Sequence, residues 1–172
     1  MKKLLLPLLF LCLFILESLF VQYTPTELFG HSKIIAPHFL FAGLLFLTIF
    51  VGQKQGLIYA AIFGLLFDIV YIEIIGIYLF LFPFVAYLVS KILNILQNNF
   101  FVAIVITIVG IALLEVGVYE MDYLIHVTDM NFVSFLKLRF YPTVILNAVF
   151  VIIAGYPLKR LFEKHTEAMR AE

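Results

Sequence analysis

Long apolar runs alternate with short polar or glycine- and proline-containing stretches along the chain. A bilayer-crossing helix needs about 20 mainly apolar residues, and six runs approach that length. Leu4–Tyr23 is the first. Thr24–Lys33, with Pro25 and Gly30, reads as a loop. Ile34–Val51 is the second run, entered through Ala36-Pro37-His38, and Gly52–Gln55 reads as a polar turn. Gly56–Ile72 is the third, followed by a tight turn at Glu73–Gly76. Ile77–Leu96 is the fourth and carries Pro83. Gln97-Asn98-Asn99 leads to the fifth, Phe100–Leu124, and the sixth is Leu138–Leu158. The expected fold is all-α: an integral membrane protein of six transmembrane helices, one polytopic domain over residues 1–172.

Two further pieces lie outside the spans. In Tyr123–Lys137, Asp129 is placed to cap a short interfacial helix with Phe132, Val133 and Leu136 on one side. In residues 158–172, Leu158, Leu161, Phe162, His165 and Met169 recur at helical spacing, which predicts a short amphipathic cytoplasmic tail.

Composition supports the membrane reading. The chain has 172 residues, 65% of them hydrophobic, and a mean hydropathy of +1.14. An ordinary soluble domain is about 45–50% apolar. Twenty Phe and nine Tyr exceed what a soluble core of this length buries, so the surplus faces lipid. The formal net charge is zero, which gives no ground for a nucleic-acid partner. The single cysteine, Cys12, has no intrachain disulfide partner. Met1-Lys2-Lys3 before an apolar run resembles a signal peptide, but no Ala-x-Ala-like site follows, so the segment is expected to be retained as the first span.

Charge sets the expected orientation. With the N-terminus inside, Lys2, Lys3, Lys54, Lys91, Lys159, Arg160, Lys164 and Arg170 lie on the cytoplasmic side and Lys33, Lys137 and Arg139 outside. Eight against three is the positive-inside pattern, with both termini cytoplasmic. Tyr23, Tyr71, Tyr78, Tyr123 and Tyr141 fall near the outer helix ends, where amphipathic rings favour the interface.

Three carboxylates interrupt the apolar runs: Glu17, Asp68 and Glu115, joined by Asn147. Counting 1.5 Å per residue places them at roughly 20, 17, 22 and 16 Å through a ~30 Å core, a single polar layer slightly outward of the midplane. An acidic side chain there costs about 2.5–3.5 kcal/mol against lipid, so these groups are expected to face the bundle interior or a partner. Gly56, Ala60 and Gly64 form a small-residue stripe leading to Asp68, which predicts a central, tightly packed third helix. Glu115, Tyr119 and Asp122 share one face of the fifth helix and suggest a cavity open to the outer leaflet. Interhelical hydrogen bonding is the simplest role for the layer, and on that role Asp68→Asn is expected to be tolerated and Asp68→Leu not. His38 is expected at the interface. His31, His126 and His165 share no metal-ligand spacing. No nucleophile motif or phosphate loop appears, so no enzyme activity, metal or cofactor is implied.

The stretches LESLF (Leu16–Phe20), IAPHFL (Ile35–Leu40), GLIYAAIFGLLFDIVY (Gly56–Tyr71) and GIYLF (Gly76–Phe80), in that order, resemble the bacterial rod shape-determining MreD family. The family-motif positions are Glu17, Pro37, His38, Gly64, Asp68 and Gly76. The resemblance implies a non-enzymatic protein of the cell membrane, in the complex that elongates the lateral wall. Its implied partners are the bitopic protein MreC directly, and MreB, RodA and a class B transpeptidase as complex members. In helix arrangement the family resembles the substrate-binding subunits of energy-coupling vitamin transporters. That likeness supplies a rival function, the binding subunit of a small-solute transporter. Those subunits dock through an Ala-rich stripe in the first helix, and the first run here has none. A proton path through Glu17, Asp68 and Glu115 is a third reading, and it lacks an acidic residue in the inner half of the membrane.

Overall fold

The computed structural model describes residues 5–23, 33–72, 74–93 and 99–170. Lys2, Lys3, the loop residues 24–32, Glu73, the turn residues 94–98 and the last two residues lie outside the described residues, as does the Met169 side chain. The described chain forms α1 (Leu5–Tyr23), α2 (Phe39–Phe50), α3 (Gln53–Tyr71), α4 (Ile77–Leu93), α5 (Phe100–Leu124), α6 (Phe132–Phe135) and α7 (Tyr141–Arg170). Among them α1, α3, α5 and the continuous run Phe132–Ala168 are long and apolar enough to cross a membrane. α2 and α4 are apolar but shorter.

The second span departs most from expectation. Residues 33–38 are not helical, and helix begins only at Phe39. Pro37 explains the break, since it has no N–H and disfavours helical geometry in the residue before it. Non-helical backbone inside a bilayer must find partners within the protein. Here α7 and the π turn before it supply them: Ile34 N donates to the Leu138 carbonyl at 2.8 Å, Ala36 N to Thr143 Oγ1 at 3.1 Å and His38 N to Asn147 Oδ1 at 2.7 Å. Asn147 Nδ2 returns a bond to the Ala36 carbonyl at 2.9 Å. Every second residue of the non-helical segment thus meets successive turns of the helical run beside it. A π turn at Leu136–Phe140 joins α6 to α7 and leaves the Leu138 carbonyl facing Ile34.

α2, not α3, is the central helix. Phe39 through Thr48 are all buried, and α2 touches α1, α3, α4, α5 and α7. An apolar helix with no polar face is a buried one. α3 keeps one side outward through Ile58, Ile62, Leu65, Ile69 and Val70. It also starts at Gln53, so Gln53–Gln55 form its first turn and the polar turn shrinks to Val51-Gly52. α5 spans the expected residues, opened by Asn99, whose side chain accepts from Phe101 N. It closes in a Schellman arrangement: Val127 N donates to the Asp122 carbonyl, His126 N to the Tyr123 carbonyl, and His126 takes a left-handed φ of 60°. Asn131, not Asp129, caps α6 by accepting from Ser134 N at 2.8 Å. The tail continues α7. α7 runs through Pro157 to Arg170, and Leu158, Phe162 and His165 stay buried on its inner side.

Candidate functional site

Asp68 answers to a turn. α3 ends at Tyr71 and α4 starts at Ile77, which leaves the first N–H groups of α4 without helical acceptors. The fully buried Asp68 carboxylate takes them: Oδ2 accepts from Gly76 N at 2.8 Å and Leu79 N at 3.0 Å, and Oδ1 accepts from Tyr78 N at 2.9 Å. Gly76 holds φ 130°, a conformation L side chains rarely adopt, which accounts for a glycine at the corner. Gly64, one helical turn before Asp68, lets the two helices touch. A Cβ there would stand 2.5 Å from the Tyr78 carbonyl oxygen and 3.1 Å from Leu79 Cα. The small stripe divides its service. Gly64 faces α4, Gly56 faces α2, where a Cβ would fall on the Thr48 side chain, and Ala60 is buried between.

Glu17, 3% exposed on α1, does for α2 what Asp68 does for α4. Its Oε2 accepts from Leu40 N at 3.0 Å. Asn147 and Glu115 converge on the residue that opens α2. The Asn147 side chain bonds His38 N, and Glu115 Oε1 lies 2.6 Å from His38 Nε2. On its other oxygen Glu115 accepts from Arg139 Nε at 3.0 Å. His38 is therefore not an interfacial residue; it is 2% exposed and bridges α5 and α7. The Glu17, Glu115 and Asn147 side chains meet the stretch 36–40, while Asp68 serves its own corner. Their bonds run to backbone, to His38 and to Arg139.

The space beside Glu115 holds an arginine. Arg139, counted above as an outer loop charge, points inward from the π turn and occupies the polar face of α5. Further out, the Tyr119 hydroxyl donates to the Met130 carbonyl at 2.9 Å, and its ring stacks on Phe135 at 4.1 Å. Tyr78 also leaves the interface; it is 5% exposed and packs between Phe67 and Phe82. Sequence reasoning missed Arg139 and Thr143. Arg139 lies 24 residues from Glu115 and Thr143 lies 107 from Ala36, so no helical spacing connects either pair. The one available signal was Pro37, which announces broken backbone that something must satisfy.

Open grooves lie away from this layer, one lined by Tyr119, Glu120, Tyr123, Asn131 and Phe132, the other by Leu11 of α1 and Ile62, Phe63, Leu65, Leu66 and Ile69 of α3. Among the described residues, no three His, Cys, Asp or Glu side chains gather as a metal site.

Comparison with known proteins places these residues in a wider group. The family model for rod shape-determining protein MreD matches residues 2–165. The rod shape-determining protein MreD of Bacillus subtilis is 36% identical over 172 residues, which covers 100% of both chains. The cell shape-determining protein MreD of Streptococcus pneumoniae is 29% identical over 152 residues, 88% of this chain and 90% of that one. No solved structure matches significantly.

Proposed function

The chain belongs to the rod shape-determining MreD family, and on that premise we propose that it is a non-enzymatic membrane scaffold for lateral wall elongation in rod-shaped cells. It holds MreC directly and, through it, MreB, RodA and a class B transpeptidase. The observation that carries the scaffold reading is the commitment of the polar layer. Glu17, Asp68, Glu115 and Asn147 are each bonded to this chain's own backbone or ion partners. Groups so engaged build a fixed shape, whereas a carrier needs polar groups left over for its solute.

The same reading sets the protein in the bacterial cell membrane with six crossings and both termini cytoplasmic. α2 with its non-helical lead supports the second crossing: twelve helical residues rise about 18 Å, and the six residues before them can span up to about 20 Å, enough together for a ~30 Å core. A cysteine at Thr128 in intact cells is expected to react with an impermeant thiol reagent and one at Gln53 not to react. Labelling at Gln53 overturns the topology.

The transporter-subunit reading draws on one feature, two helices that begin inside the bundle, as in many solute sites. Extraction in mild detergent separates the two. Co-purification of MreC and wall enzymes supports the scaffold; recovery of a transporter ATPase module without them overturns it.

A further inference from the structure

The groove at the outer end of α5 is built of three aromatic rings and a carboxylate. Tyr119 is its base, 6% exposed, fixed from behind by the Phe135 ring and by its own bond to Met130. Tyr123 stands 6.1 Å from Tyr119 and Phe132 5.9 Å, centroid to centroid, so two exposed rings flank a third that cannot move. Glu120 lines the same groove, is exposed, and forms no ion pair among the described residues. Asn131 completes the lining; its Oδ1 is spent on Ser134 N, which leaves Nδ2 as a donor at the rim.

The exposed Tyr123 and Phe132 rings beside a carboxylate supply the chemistry of ammonium recognition: aromatic rings attract a cation through their quadrupoles and the carboxylate neutralises it. The surroundings indicate the source of the cation. α5 rises about 37 Å against a hydrocarbon core of ~30 Å, so its last turn reaches headgroup level. Leu124, Val127 and Val133 beside the groove are exposed apolar side chains. An ammonium box rimmed by apolar surface at that depth suits a molecule with a cationic head and hydrocarbon chains. We propose that this groove binds the ammonium headgroup of a membrane lipid, with Asn131 Nδ2 placed to donate to the adjoining phosphate.

The test uses the full chain alone in detergent, offered equal amounts of phosphatidylethanolamine and phosphatidylglycerol, with bound lipid read by native mass spectrometry. Because no partner is present, failure of the scaffold reading does not touch the result. Wild type is expected to retain phosphatidylethanolamine in preference. Glu120→Gln and Tyr123→Ala each lower that preference roughly two- to fivefold, and Tyr123→Phe leaves it. N-acylated phosphatidylethanolamine, which keeps the phosphate and loses the cation, is expected to lose the advantage. Equal retention of both lipids by wild type, or a preference unmoved by both Glu120→Gln and Tyr123→Ala, overturns the proposal. Tighter binding of lysine amide than of phosphatidylethanolamine overturns the lipid assignment in favour of a partner's lysine.

Discussion

α4 and α2 both begin inside the bundle under a carboxylate from the preceding helix, but they are held by different amounts of chain. Asp68 reaches Gly76, Tyr78 and Leu79, eight to eleven residues away, and both of its oxygens are used. Glu17 reaches Leu40 across 23 residues. The stretch leading to that point leans on α7 through Thr143 and Asn147 and on α5 through Glu115. The first start is a local motif: a turn, a glycine and one acid. The second is a tertiary assembly that exists only when α1, α5 and α7 are in place. A local device concentrates its stabilisation in one residue, and a distributed one spreads it over several.

Asp68→Leu therefore has the largest expected effect. It strips acceptors from three N–H groups at once, at about 1–3 kcal/mol each, against a total stability of only ~5–15 kcal/mol. Little folded protein should survive mild detergent. Asp68→Asn is damaging as well, contrary to the tolerance expected from its size. Both carboxylate oxygens accept N–H bonds, and an amide offers only one oxygen, so its NH₂ must face a donor. A melting temperature equal to wild type for Asp68→Asn would break the assignment of Asp68 as a helix cap. Gly64→Leu attacks the same corner from the packing side. Its side chain would have to displace the backbone at Tyr78 and Leu79, so loss of folded yield is expected. Normal yield would mean that α3 and α4 can separate without harm.

The contrast also explains what could be read from the chain. α1, α4 and α5 announce themselves by long, mainly apolar runs, and α5 matches its expected bounds. The depth count brings Glu17, Asp68, Glu115 and Asn147 to similar levels because helical rise is nearly constant. Rotation about each axis is not fixed by depth, and this is why a cavity was expected where Arg139 sits. The half-span 33–38 carries a proline signal, but its partners on α7 lie more than a hundred residues away. Such pairing is a property of the packed bundle, invisible to local periodicity. The turn 74–76 is legible through Gly76, whereas its acceptor shows only in the bonds that Gly76, Tyr78 and Leu79 donate to Asp68.

Of intermediate size is the triad His38–Glu115–Arg139, which ties the distributed start to the outer segment. Arg139→Met leaves Glu115 buried beside His38 without its arginine partner, at about 3–5 kcal/mol. Arg139→Met with Glu115→Met removes both charges and should recover part of that loss, since an apolar pair of similar volume is often neutral against a buried ion pair. Thermal melting of the singles and the double in one detergent measures the coupling. A double variant no better than Arg139→Met would mean that Glu115 matters chiefly through His38, and would shift the weight of the second start from α7 to α5.

The smallest expected effect is Glu17→Gln, and it discriminates most sharply between the two starts. Glutamine keeps an oxygen at the end of the same side-chain length, so the Leu40 N–H retains its acceptor. The swap therefore changes at most the strength of one hydrogen bond, about 1 kcal/mol. The other supports of α2, at Ala36 and His38, are untouched. The matched amide swaps, Asp68→Asn and Glu17→Gln, should therefore differ in melting temperature, with the Asp68 variant clearly the lower. If the two fall together, the start of α2 depends on Glu17 as heavily as α4 depends on Asp68. The bonds from α7 would then be consequences of the α2 start rather than its supports.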